Sequence, residues 1–131
     1  MTGFPGETEA EFNESLRFVE EQPFTYLHVF TYSERPGTLA AERGQAIPME
    51  VRRERTRILR ALADRKNLEF RRRMVGKTLS AVTLDMGDIA LTSNFIKIQM
   101  AQARDANRIV DLEIGGVSEA GLRERTLLPV I

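Results

Sequence analysis

The chain has 131 residues, 42% hydrophobic and 29% charged, the profile of a globular chain rather than a disordered one. With no cysteine and one histidine, it has no means of forming disulfides, thiolate zinc sites, cysteine-ligated iron–sulfur clusters or an all-histidine metal site from its own residues. No apolar run approaches the ~18 residues of a membrane span, and the first residues lack the basic-then-apolar layout of a secretory leader, so a cytoplasmic protein with no membrane partner is expected.

The formal net charge of zero hides an asymmetry. Residues 1–46 hold three basic and eight acidic side chains, residues 47–73 ten and four, and residues 74–131 six and seven. An acidic head, a basic middle and a near-neutral tail predict three pieces with different jobs.

The head opens on Gly3-Phe4-Pro5-Gly6-Glu7, a Gly/Pro loop. Thr8 and Glu11 stand in the T-x-x-E spacing of a capping box, and Phe12, Leu16 and Val19 mark one face of a helix to about Glu21. Gln22-Pro23 ends it. Thr25 to Phe30 reads as a strand, with Leu27 and Val29 on one face and Tyr26, His28 and Phe30 on the other. Tyr32 to Thr38 is again loop. Loop–helix–strand–loop is one unit of a βα repeat, and so apolar a strand needs partners on both edges, so the head is expected to be the last stretch of a larger α/β domain. Glu7, Glu9, Glu11 and Glu14 admit a catalytic reading, but acids at a helix start complement its dipole and face solvent. His28 has no Ser, Cys or Asp partner at a telling spacing and is expected to be a hydrogen-bonded histidine in a half-buried strand.

Ile47-Pro48 begins a long helical segment lasting to Gly76, about 40 Å at 1.5 Å per residue. Val51, Ile58 and Leu62 share a face that Leu59, Ala63 and Phe70 widen, with Arg53, Arg57, Arg60 and Arg71 opposite. Two readings of that arginine face stand: phosphate binding, or a solvated face with i,i+4 support such as Glu69–Arg73.

After Gly76 the period changes to two. Strands are expected at Lys77–Asp85, Ile89–Thr92, Phe95–Met100, Ile109–Ile114 and Leu122–Leu128, with turns at Asp85–Asp88 and Gly115–Gly121 and a polar loop at Ala101–Asn107. Five short strands predict a small, closed or nearly closed, antiparallel barrel, because closure removes exposed edges. Such barrels often present an aromatic and several cations to single-stranded or looped RNA. Phe95 and Lys97, with Lys77, Arg104, Arg108, Arg123 and Arg125, are the candidate surface. The alternative for Phe95 is a place in the core.

Gly3-Phe4-Pro5-Gly6-Glu7-Thr8, then Leu27-His28-Val29-Phe30, Tyr32-Ser33 and Arg35-Pro36-Gly37-Thr38 with Ala40, then a basic helix and a five-strand tail, resemble the radical-SAM methylthiotransferases that modify tRNA. The Leu-His-Val-Phe run resembles most the branch acting on N6-threonylcarbamoyladenosine beside the anticodon. Thr31 stands where that pattern has proline, and Leu39 is likewise a departure. The resemblance implies an α+β chain: a truncated α/β (radical-SAM barrel) remnant over 1–46, a linking helix over 47–73, and a small OB-like, TRAM-like antiparallel β-barrel over 74–131. It implies that Gly3, Phe4, Pro5, Gly6, Glu7, Tyr32, Ser33, Arg35, Gly37 and Thr38 lie near the substrate at the open end of the barrel, and that tRNA is the partner. The family uses two [4Fe–4S] clusters and S-adenosylmethionine. Those cofactors carry the hard chemistry, and a chain without cysteine cannot bind the clusters. The expectation is therefore a C-terminal fragment missing its N-terminal catalytic part, inactive alone and without a catalytic residue of its own. The alternatives are a stand-alone RNA-binding or RNA-chaperone module, or a non-functional gene fragment.

Overall fold

A computed structural model describes residues 1–85 and 87–127. The chain divides into two compact units, Met1–Leu68 and Glu69–Ile131.

In the first unit, Thr8 caps α1 (Glu9–Glu21) through the expected reciprocal pair. The Glu11 N–H donates to Thr8 Oγ1 at 3.1 Å and the Thr8 N–H to Glu11 Oε2 at 2.8 Å. Phe12 and Val19 are buried along one face, and the helix stops at Gln22, ahead of Pro23. A single turn, α2 (Leu39–Glu42), follows the cap Thr38. The long helix α3 (Met49–Arg72) has 24 residues. Its Leu59 and Leu62 join Val19 and Val29 in a small core, against which Leu16 and Leu27 pack.

Two expectations fail in this unit. Thr25–Phe30 keeps its alternation, with Val29 buried and Tyr26, His28 and Phe30 exposed, but it forms no strand. A strand exists by pairing, and the neighbour supplied here is one residue: a single parallel bridge joins Thr2 to Thr31. Side chains of α3 take up the carbonyls that a neighbouring strand would otherwise meet. Arg60 Nη2 donates to the Val29 carbonyl at 3.0 Å, and Asn67 Nδ2 donates to that of Thr25 at 2.9 Å. The inward face of α3 also differs from the apolar one expected. Before Leu59 it consists of Arg52, Arg55 and Thr56, all buried, while Val51 is exposed. Hydrophobicity alone put Val51 inside; ion pairing decided the matter.

The second unit is a closed barrel of five strands: β1 (Thr78–Thr83), β2 (Ile89–Thr92), β3 (Lys97–Gln99), β4 (Ile109–Val117) and β5 (Leu122–Glu124), ordered β1-β2-β3-β5-β4 around the ring. Ala81, Ala90, Ile98, Leu112, Ile114 and Leu122 fill its interior with Ile96 and Met100. Phe70 and Met74 pack against that core.

The barrel is mixed rather than wholly antiparallel. Ile98 and Gln99 of β3 pair in parallel with Leu122 and Arg123 of β5. The reason is parity: alternating directions cannot close around an odd number of strands, so a closed ring of five strands must contain a parallel step. β4 also runs on to Val117, through the Gly115-Gly116 stretch expected to be turn. A register shift between Ile114 and Gly116 accommodates it. A Cβ on Gly115 would stand 2.7 Å from Arg125 Cα, and one on Gly116 2.6 Å from Arg123 Nε. Gly115 lets the backbone at Arg125 approach, a role for glycine inside strands as well as turns, while the neighbour of Gly116 is the movable end of a side chain. β3 begins only at Lys97, since Phe95 sits in the preceding turn with φ of +62°. β5 ends at Glu124, and Leu128, the expected strand end, lies outside the described residues, as does Met86 of the first turn.

Candidate functional site

The two loop motifs of the first unit are pinned by α3. Glu7 is only 3% exposed, and Arg55 Nη1 donates to both its carbonyl and its Oε1 at 2.8 Å. The same Oε1 accepts the Gly3 N–H at 2.7 Å, so one carboxylate closes the Gly3–Glu7 loop on itself and ties it to the helix. Arg55 also lies over the Phe12 ring, 5.6 Å from its centroid. The expectation that Glu7 faces solvent is thereby corrected: a buried carboxylate is tolerable when it is paired and hydrogen-bonded. Glu9, Glu11 and Glu14 do face solvent.

One turn earlier, Arg52 donates through Nε to the Ile47 carbonyl at 2.6 Å and through Nη2 to Glu34, and it stands 5.5 Å from the centroid of the Tyr32 ring. The Arg52 hydrogen bond holds the Glu34 carboxyl below its ordinary value. The Thr56 hydroxyl is shared between Thr2 Oγ1 and Thr31 Oγ1, each at 2.7 Å. Arg52, Arg55 and Thr56 were absent from the sequence-derived candidates. The signal was present in their i, i+3, i+4 spacing ahead of Leu59, on the face that turns inward.

Of the residues expected near the substrate, Tyr32, Ser33, Arg35 and Thr38 line one cleft of about 500 Å³ with Phe30 and Ala40. Gly3, Phe4, Pro5, Gly6 and Glu7 do not line it, and Gly37 is exposed beside it in sequence. Tyr32 is buried, and its hydroxyl has no hydrogen-bond partner among the described residues. His28 is exposed instead of half-buried; its ring meets Tyr26 edge-on at 4.8 Å and stacks with Phe30 at 6.2 Å.

On α3, the expected arginine face is largely occupied. Arg57 pairs with Glu54, Arg60 holds Val29, and Arg71 Nη1 donates to the carbonyls of Ser118 and Gly121 at 2.8 and 3.0 Å. Arg53 is exposed.

The barrel's candidate residues divide into two sets. Arg104 makes a fork to Glu124, at 3.0 and 2.7 Å, and these hydrogen bonds hold the Glu124 carboxyl below its ordinary value. Arg125 pairs with Glu113 at 2.6 Å, and Arg123 lies along Gly116. In the other set, Lys97 projects outward from β3, Arg108 precedes β4, and Phe95 is 84% exposed at the β2–β3 turn. Phe95 is therefore not core. The side chains of Lys77, Lys97 and Arg108 make no hydrogen bond or ion pair among the described residues. Lys77 stands at the opposite end of β1 from Val82, the position paired with Ile109.

The described residues contain no group of three His, Cys, Asp or Glu side chains able to hold a metal ion. Together with the absence of cysteine, this means that an iron–sulfur cluster does not fit these residues. No helix among the described residues is long and apolar enough to cross a membrane.

No protein-family model matches the chain. It is 34% identical over 110 residues, 84% of its length, to the threonylcarbamoyladenosine tRNA methylthiotransferase of Aquifex aeolicus (strain VF5), of which it spans 27%. It is 34% identical over 123 residues, 94% of its length, to the enzyme of the same name in Rickettsia prowazekii (strain Madrid E), of which it spans 29%. To the tRNA-2-methylthio-N(6)-dimethylallyladenosine synthase of Wolbachia pipientis wMel it is 44% identical over 85 residues, 65% of its length and 19% of that relative's. The chain is thus homologous to a segment of the tRNA methylthiotransferases, and spans less than a third of the length of each of these three relatives.

Proposed function

We propose that these residues serve tRNA 2-methylthiolation as the RNA-holding part of a methylthiotransferase, with the barrel as an RNA-binding, TRAM-like domain. The observation that carries this reading is the similarity across 94% of the chain to a threonylcarbamoyladenosine tRNA methylthiotransferase. Lys97 and Arg108, which have no partner among the described residues, and the exposed Phe95 supply the expected chemistry, cations for phosphates and a ring for a base. Threonylcarbamoyladenosine next to the anticodon is the favoured substrate, because the relatives bearing that name match 84% and 94% of the chain against 65% for the dimethylallyladenosine relative.

The cleft at Tyr32, Ser33, Arg35 and Thr38 is the substrate-proximal part, where the buried, unpartnered Tyr32 hydroxyl leaves a polar demand unmet. The chemical step at a cluster, with S-adenosylmethionine, belongs to polypeptide outside these 131 residues. The test is binding of a tRNA transcript by this chain across a salt series. Affinity is expected to fall steeply as salt rises, and binding indifferent to salt would refute phosphate contact. In parallel, mass spectrometry of tRNA nucleosides from cells lacking the gene is expected to show loss of the 2-methylthio form of threonylcarbamoyladenosine. Loss of the dimethylallyl form instead would move the chain to the other branch.

A further inference from the structure

Resting on that reading, we infer that unpaired bases of the RNA pack on an aliphatic row across the outside of the barrel, Ile109–Val82–Leu91, rather than on the β5 side. The register puts these residues in one line. Val82 of β1 pairs with Ile109 of β4 on one side and with Leu91 of β2 on the other, and Leu91 pairs in turn with Lys97 of β3. The alternation within each strand turns this row outward, since the interior positions Ala81, Ala90, Ile98 and Leu112 are already filled. Ile109 is 79% exposed and Val82 42%. Leu91 is half-buried, so the row presents its most open apolar surface at Ile109 and Val82.

The surroundings select the ligand. A shallow groove of about 390 Å³ runs along the row, with Ser80 and Ser93 at its margin as hydroxyl partners for base edges. Lys97 ends the row and Arg108 adjoins Ile109; neither has a partner among the described residues, so each is available to a phosphate. Asp111, opposite Ser80 in the next row, is the carboxylate on this stretch of face. On the β5 side Arg104 is answered by Glu124 and Arg125 by Glu113, and the Arg123 guanidinium lies along Gly116. Base faces are apolar and their edges polar, so an apolar floor with hydroxyls at its margin and cations at its ends suits an unstacked strand. An acidic peptide would use the cations but leave the floor wet.

The test uses the whole chain and two probes, a fluorescent single-stranded oligouridylate and a tRNA transcript. Leu91→Ser with Ile109→Ser is expected to weaken both roughly tenfold without changing the salt slope. Lys97→Gln with Arg108→Gln is expected to lower that slope by about one unit per cation. Equal binding by parent and both double variants overturns the inference while leaving RNA binding intact. Absence of binding by the parent overturns the underlying reading as well. If the serine variants alter self-association in sedimentation but not RNA affinity, the face belongs to protein and the inference fails. Should the serine variant not fold, photo-crosslinking of the parent to 4-thiouridine RNA decides: adducts are expected in peptides holding Val82, Leu91 or Ile109, and adducts confined to β5 overturn it.

Discussion

At the scale of single residues, Glu7 and Arg55 matter most to the first unit. Each is buried, and removing one partner leaves the other as an uncompensated charge, which typically costs about 3–5 kcal/mol. Arg55→Met is therefore expected to destabilise the unit by roughly that amount, read as a lowered denaturation midpoint. Adding Glu7→Gln is expected to recover part of the loss, because the stranded charge is gone. A double variant no more stable than the single one would refute the account. Residue chemistry also explains what was hidden in the sequence. The capping box was legible because Thr8 and Glu11 act locally. The Arg55–Glu7 pair joins residues 48 apart, and nothing in a helical wheel distinguishes an arginine aimed at a buried acid from one aimed at water.

At the scale of elements, the strands of the barrel were legible and their neighbours less so. Period-two alternation located β1, β2 and β4 because each has one face on a core, which is the condition that writes a two-residue period. The same alternation over Thr25–Phe30 reported correctly which side chains are buried and wrongly that a strand exists. Burial sets the period, and pairing needs a partner elsewhere. The continuation of β4 through Gly115-Gly116 was masked because glycine's usual reading is a turn. One element-level contact has a pH signature. Hydrogen bonds from Arg104 depress the Glu124 carboxyl, and the Ala101 N–H adds to the effect. A group whose folded value lies below its unfolded one stabilises above the unfolded value and loses that contribution as pH falls through the folded one. The barrel's melting temperature is thus expected to drop on acidification below about 4.5, the ordinary value. Glu124→Gln should flatten that part of the profile; an unchanged profile would show that the fork contributes nothing.

At the scale of the molecule, the neutral total charge records three separate balances. The excess of acid over 1–46 is partly internal, since Glu7, Glu20 and Glu34 are matched by Arg55, Arg65 and Arg52 of α3. The arginine-rich helix therefore spends much of its charge within its own chain, and a phosphate-binding reading of the whole helix loses ground. What remains open to a polyanion in the barrel is a set of cations without partners among the described residues, Lys77, Lys97 and Arg108, which composition alone does not single out. The odd strand count also bears on how the barrel forms. The β1–β2 and β2–β3 pairings need only local turns, whereas the parallel step forces a crossover from β3 to β4 and leaves β5 to close the ring. Loop-closure entropy favours contacts near in sequence first. The meander β1–β3 is accordingly expected to be formed at the folding barrier and β5 to dock after it. In stopped-flow measurements, Ala90→Gly should slow folding while Leu122→Ala mainly speeds unfolding. A reversed pattern would mean that the ring closes first and the meander settles afterwards.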